Sequence, residues 1–127
     1  MLILNHPLIS PLNLRIVSSK NAIENSLPSD FLILQCQSFE ELLNLANFCK
    51  ENRVSFSVIP TNIKEALLLV NLNARFLLTK DLTFASTLQK LAEIYLFDTK
   101  ILFCIQDENA IESTANYGID GVIFASI

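Results

Sequence analysis

Glycine is almost absent from this sequence, since only Gly118 and Gly121 occur among 127 residues. Dinucleotide-binding and nucleotide-phosphate loops need several glycines in a turn between a strand and a helix. Both glycines here lie instead at the start of the last apolar run. The sequence therefore argues against NAD or ATP binding through such loops. The serines at the predicted strand ends also lack the glycine-flanked elbow that exposes a hydrolase nucleophile.

Histidine and cysteine are too few and too scattered to suggest a catalytic triad or a metal site. The only histidine, His6, precedes Pro7 with no Cys, Asp or Glu close to it in sequence, so we interpret it as a surface residue. The three cysteines are widely spaced in apolar surroundings, which predicts buried reduced thiols. They are Cys36, Cys49 and Cys104. No cofactor and no metal ion are expected.

Charge is also scarce, and what there is has an acidic excess. Charged residues make up 17% of the chain and the net charge is −4, which argues against nucleic acid as a partner because Lys and Arg supply most of that affinity. No apolar run approaches the roughly twenty residues that span a bilayer, and no cationic leader precedes Leu2. We therefore expect a cytoplasmic protein with no membrane partner.

Strand patterns alternate with helix patterns, with strand starts near residues 14, 31, 54, 75, 100 and 121. Such alternation predicts an α/β fold with one mainly parallel sheet, here of five or six strands. A three-layer, doubly wound sandwich of the flavodoxin-like type is expected, because a complete eight-stranded barrel needs about 250 residues; a half-barrel is the alternative. Residues 1–127 form a single predicted domain, with residues 1–12 as an extended N-terminal arm.

The helix after the third predicted strand is apolar nearly all round. Ile63, Ala66, Leu67 and Val70 are expected to face the sheet, which leaves the other leucines of the segment for a second contact. This pattern predicts self-association into a homodimer or another homo-oligomer, with a further protein partner as an option. The alternative is that the N-terminal arm covers the second face.

Ligands of open parallel sheets bind beyond the carboxyl ends of the strands. Lys80 is the strongest candidate there, as an anion ligand, a covalent Schiff-base lysine or a rim residue paired with Asp81. Asp107, together with Glu108, is interpreted as an acid/base pair or magnesium site, or as a helix cap. The full set of candidate ligand-binding residues is Lys80, Thr61, Asn62, Asp107 and Ser126. No residue is assigned a catalytic role.

Two segments resemble parts of known families. The segment VIPTNIKEALLLVNLNARFLLTKD, residues 58–81, resembles the fourth strand, helix and fifth strand of response-regulator receiver domains. Thr61 and Lys80 match that family's hydroxyl and lysine. Ser18 and Ser19 stand where its metal-binding acids would be, and Gln35 or Cys36 where its phosphoacceptor aspartate would be, so the resemblance does not imply phosphorylation.

The segment NYGIDGVIFAS, residues 116–126, is similar to the last strand of many phosphate-binding TIM barrels. In those barrels a glycine-rich loop and a small-residue turn hold the phosphate. The corresponding turn, residues 124–126, has no glycine here, so phosphate binding of that kind is not expected at this turn.

These observations lead to three functional hypotheses. The first is a non-catalytic, self-associating binding or regulatory domain. The alternative is an enzyme or sensor that binds a phosphorylated small metabolite at the C-terminal rim of the sheet. The third is a degenerate remnant of a barrel enzyme retained for its structure.

Overall fold

The computed structural model describes residues 1–127 and contains one seven-stranded sheet and five helices. The strands are β1 (Leu2–Leu4), β2 (Asn13–Val17), β3 (Asp30–Leu34), β4 (Ser57–Val58), β5 (Phe76–Thr79), β6 (Lys100–Ile105) and β7 (Gly121–Phe124). The helices are α1 (Lys20–Glu24), α2 (Phe39–Glu51), α3 (Ile63–Asn71), α4 (Leu82–Tyr95) and α5 (Ala110–Asn116). None of them combines the length and apolarity that crossing a bilayer requires.

The strand order is β1-β7-β6-β5-β4-β3-β2, and every neighbouring pair is parallel. The predicted parallel α/β sheet is thus confirmed, and the sheet curls into a half-barrel. The doubly wound, flavodoxin-like sandwich is wrong, because that topology reverses its strand order part-way and puts helices on both faces. The same finding separates the fold from receiver domains. From β2 to β7 each strand lies beside its predecessor, so successive right-handed crossovers place the helices on one face.

Alternate side chains along the strands separate two cores. The convex face carries Val17, Leu34, Leu77 and Ile101, which pack against buried residues of the helices in a cluster of 18. The concave face carries only strand residues and their flanks, in a cluster of 7 buried side chains: Ile33, Phe76, Leu78, Leu102, Cys104, Ile123 and Ala125. The alternation of apolar and small polar residues over residues 54–59 predicts an edge strand. This prediction is wrong, because the two-residue strand β4 lies between β3 and β5 inside the sheet.

The first residues of the predicted arm form strand β1, which pairs with β7. A Cβ atom on Gly121 would lie 2.5 Å from the carbonyl oxygen of Leu2 and 3.0 Å from a methyl group of Leu102. Glycine is therefore required at this position, because any side chain would separate β1 from β7. The pair Tyr117-Gly118 predicts the end of a helix, with the glycine at the C′ position. The structure confirms this, because Gly118 has a left-handed φ of 70° and follows the C-cap Tyr117 of α5.

The side chain of Asn5 connects strand β7 with the residue that precedes strand β2. Asn5, which has a left-handed φ of 58°, donates from Nδ2 to the Phe124 carbonyl at 2.8 Å. Its Oδ1 accepts from the Leu12 amide at 2.7 Å, immediately before β2. Asparagine tolerates the left-handed region better than most residues do. The loop between β1 and β2 is thereby fastened to the last strand.

Helix α3 is rotated relative to the sequence-based expectation. Ala66 and Leu69 are fully buried against the sheet, whereas Ile63 and Leu67 are 41% and 37% exposed. The expectation that Ile63 and Leu67 face the sheet is therefore wrong. The physical reason is that a helix with leucines on every side has no single apolar face to fix its orientation.

Candidate functional site

The carboxyl ends of all strands meet at one end of the half-barrel, here called the C-terminal end. The helices that follow these strands begin there, and their N-termini are capped by Ser19, Ser38, Asn62 and Asp81. Ser38 followed by Glu41 three residues later predicts a capping box at the start of α2. The N-cap is confirmed by the bond from the Glu41 amide to Ser38 Oγ at 3.2 Å, although the Glu41 carboxylate does not bond back. The cap residues use their own side chains to satisfy the helix amides.

Lys80 lies at this end, beside the opening of the concave face. It continues the inward-facing alternation of Phe76 and Leu78, is exposed, and forms no ion pair. The predicted pairing with Asp81 does not occur, because Asp81 accepts from the amides of Thr83 and Phe84 at 2.9 and 3.2 Å. The ammonium group is therefore free to meet an anion.

The nearest reactive group on the concave face is the thiol of Cys104. Burial raises its pKa to about 11, and the positive charge of Lys80 acts weakly in the opposite direction. Burial also raises the pKa of Cys49 to about 11. The pKa of the partly exposed Cys36 is raised by burial and by the charge of Glu41. All three cysteines are free, and each is protonated at neutral pH, so none is an activated nucleophile.

Thr61 and Asn62 are engaged by a single helix-capping arrangement. Thr61 Oγ1 donates to Glu65 Oε1 at 2.7 Å, and Asn62 Oδ1 accepts from the Glu65 amide at 2.9 Å. Thr61 lines an open cleft of about 370 Å³ between the ends of β3 and β4, which also includes Cys36 and Ser38. Neither candidate shares a hydrogen bond with Lys80.

Asp107 and Ser126 lie on the loops after β6 and β7. Asp107 Oδ1 accepts from the Asn109 amide at 2.9 Å, and Asn109 occupies the N-cap position of α5. The prediction that Asp107 caps α5 is therefore wrong, and Asp107 instead stabilises the turn that precedes the helix. Ser126 is exposed and makes no hydrogen bond through its side chain. No group of three His, Cys, Asp or Glu side chains is arranged to hold a metal ion.

His6 is a functional candidate that the sequence interpretation missed. It is only 9% exposed, its Nε2 lies 2.5 Å from Glu108 Oε1, and its Nδ1 accepts from the Leu8 amide at 3.1 Å. The ring also meets Phe124 edge-on, with centroids 5.1 Å apart. The expectation of a surface residue is therefore wrong. The two partners are 102 residues apart in the chain, so no local pattern marks the pair.

The His6–Glu108 pair has the composition of an acid/base dyad but the connections of a structural contact. Both ring nitrogens are engaged, because Nδ1 accepts from the Leu8 amide and Nε2 contacts the Glu108 carboxylate. A general base needs an unprotonated nitrogen that faces a substrate. The arrangement instead fastens the β1–β2 loop to the β6–α5 loop.

No protein-family model and no curated protein matches this sequence.

Proposed function

We propose that this protein is a non-catalytic binding domain that self-associates through the outer face of α3. The observation that carries the proposal is that Ile63, Leu67 and Leu68 are 37–41% exposed and that no other part of the chain covers them. The N-terminal arm, the alternative cover, does not lie over this face. It starts as β1 beside β7 at one edge of the sheet, whereas α3 connects the interior strands β4 and β5.

The chemistry of this face favours a second copy of the chain as the partner. A groove of about 360 Å³ between α2 and α3 is lined by uncharged residues only: Leu43, Asn44, Asn47, Leu68, Asn71 and Leu72. Two copies of a protein with a net charge of −4 repel each other at long range, so an uncharged patch is where they approach at the lowest electrostatic cost. A two-fold arrangement would place each Leu68 in the groove of the other copy and let the asparagine amides pair.

Sedimentation equilibrium of Leu68→Glu tests this arrangement. We expect the wild-type protein to form dimers and the variant to be monomeric, because a two-fold interface would bring two carboxylates together in apolar surroundings. Ile94→Glu is the matched control, since Ile94 on α4 is also exposed, at 68%. A monomeric wild type, or dimers that survive Leu68→Glu and are lost in Ile94→Glu, would contradict the proposal.

A second candidate function is the binding of a phosphorylated small molecule at the C-terminal end. The unpaired and exposed Lys80 supports it, because an ammonium group without a carboxylate partner can bind a phosphate. The test is the rise in Tm caused by inorganic phosphate or by a sugar phosphate, measured for the wild type and for Lys80→Gln. Lys64→Gln, at an exposed position of α3, is the control. Loss of the stabilisation in Lys80→Gln alone would support the site, and equal responses of both variants would reject it.

A further inference from the structure

A cavity of about 270 Å³ opens at the opposite end of the half-barrel, where the strands begin. Half of its lining is apolar, including Leu4, Leu12, Phe31 and Phe76, and the other half is polar or charged, including Asp30, Ser57 and Arg75. The two phenylalanine rings stack with centroids 5.5 Å apart and an angle of 23°. An apolar cavity of about 150 Å³ is sufficient for benzene in a protein core. The space here therefore suits a single aromatic ring with a substituent.

The cavity contains a serine whose hydroxyl makes no bond with the protein. Ser57 is 2% exposed as a residue and lines the cavity from β4, paired in register with the inward-facing residues Ile33 and Phe76. Its hydroxyl is not sealed in the core and borders the open space of the cavity. The hydroxyl is thus available to a bound molecule.

The charges around the cavity favour an anion. The negative charge of Asp30, which lines the cavity, is compensated by the Arg15 guanidinium at 3.2 Å, and its oxygens also accept from Asn13 and from the Leu27 amide. Arg75 has no carboxylate partner, and its guanidinium lies 5.4 Å from the centre of the Phe76 ring. An arginine held above an aromatic ring can bind a carboxylate in a bidentate manner, through two parallel N–H···O hydrogen bonds.

We propose that this cavity binds a small aromatic carboxylate. The ring packs beside Phe31 and Phe76, and the carboxylate accepts hydrogen bonds from Arg75 and from the hydroxyl of Ser57. The site is independent of the α3 face and of Lys80, because it lies at the end of the sheet opposite to Lys80 and on the concave side, whereas α3 covers the convex side.

Titration with benzoate, monitored through the NMR chemical shifts of the backbone amides, tests the site. We expect saturable shifts centred on Phe31, Ser57 and Phe76, and binding at least about tenfold weaker in Arg75→Gln, because a charged two-pronged contact is lost. Arg53→Gln is the matched control, since Arg53 lies at the same end of the sheet and lines a neighbouring cleft. Benzyl alcohol, which has the ring without the charge, should bind more weakly than benzoate.

Ser57→Ala provides an independent test that does not alter the charge. It should weaken benzoate binding while the protein remains folded, because the hydroxyl contributes no bond to the fold. The proposal is overturned if the wild type does not bind benzoate, if the shifts lie elsewhere, or if Arg75→Gln and Arg53→Gln weaken binding equally.

Discussion

Asp120 is the residue whose replacement should destabilise this fold most clearly. Its Oδ1 accepts from Gln89 Nε2 at 3.0 Å on α4, and its Oδ2 accepts from the Ile101 amide at 2.9 Å on β6. Its own amide donates to Gln89 Oε1 at 2.9 Å, and its carbonyl accepts from the Leu2 amide at 2.9 Å. One residue thus joins α4, β6 and β1 immediately before β7.

The cost of Asp120→Ala follows from the two donors that would lose their acceptor. Gln89 is 7% exposed and Ile101 is fully buried, and a buried donor without a partner costs about 1–3 kcal/mol. With two such donors, the free energy of unfolding should fall by about 2–6 kcal/mol. At roughly 4 °C per kcal/mol for a chain of this length, Tm should fall by about 8–24 °C.

Asp120→Asn should be destabilising as well, although it is nearly isosteric. An asparagine has one side-chain oxygen and can satisfy only one of the two donors, and its amide group would face the other donor. Gln89 cannot compensate by flipping, because its Oε1 is held by the backbone amide of residue 120. We expect a loss of about 1–3 kcal/mol.

Urea unfolding followed by circular dichroism measures these changes, with Glu112→Ala as the control for loss of an exposed carboxylate. Asp120→Ala should also cost less in a Gln89→Leu background, by about 1 kcal/mol or more, because one of the two donors is then absent. The reasoning is refuted if Asp120→Ala costs no more than Glu112→Ala, or if the two substitutions at positions 89 and 120 are additive.

Three further outcomes follow from the structure. Gly121→Ala should release β1 and speed hydrogen exchange of the amides paired with Leu2, and unchanged protection would contradict the close approach of the two strands. Iodoacetamide at pH 8 should modify Cys36 before the two buried cysteines, whose pKa is about 11; equal rates for all three would refute their burial. Hydrogen bonds from the Leu27 amide and from Asn13, followed by Arg15, lower the pKa of Asp30. The stabilising effect of the Asp30 carboxylate should thus be present above the ordinary pKa near 3.8 and be lost as pH falls through the lower pKa of the folded state. Asp30→Asn should therefore reduce the loss of stability at acid pH. An unchanged dependence of the unfolding free energy on pH would contradict this.

The sequence by itself determined the parallel α/β class and much of the local structure. Strand starts near residues 14, 31, 75, 100 and 121 correspond to β2, β3, β5, β6 and β7, because buried strands appear as short apolar runs whatever their neighbours are. Caps such as Ser38 and Asp81, and the C′ glycine Gly118, were readable because they act on amides only a few residues away.

Only the tertiary structure decided how these elements are arranged. The order of strands depends on which face each helix covers, and helices such as α3, with leucines on several sides, do not specify it. The contacts that close the fold, Asn5 with Phe124, His6 with Glu108 and Gln89 with Asp120, join residues 31 to 119 positions apart. A short-range pattern cannot encode such pairs, because their proximity is created by the curvature of the sheet and not by the local chain.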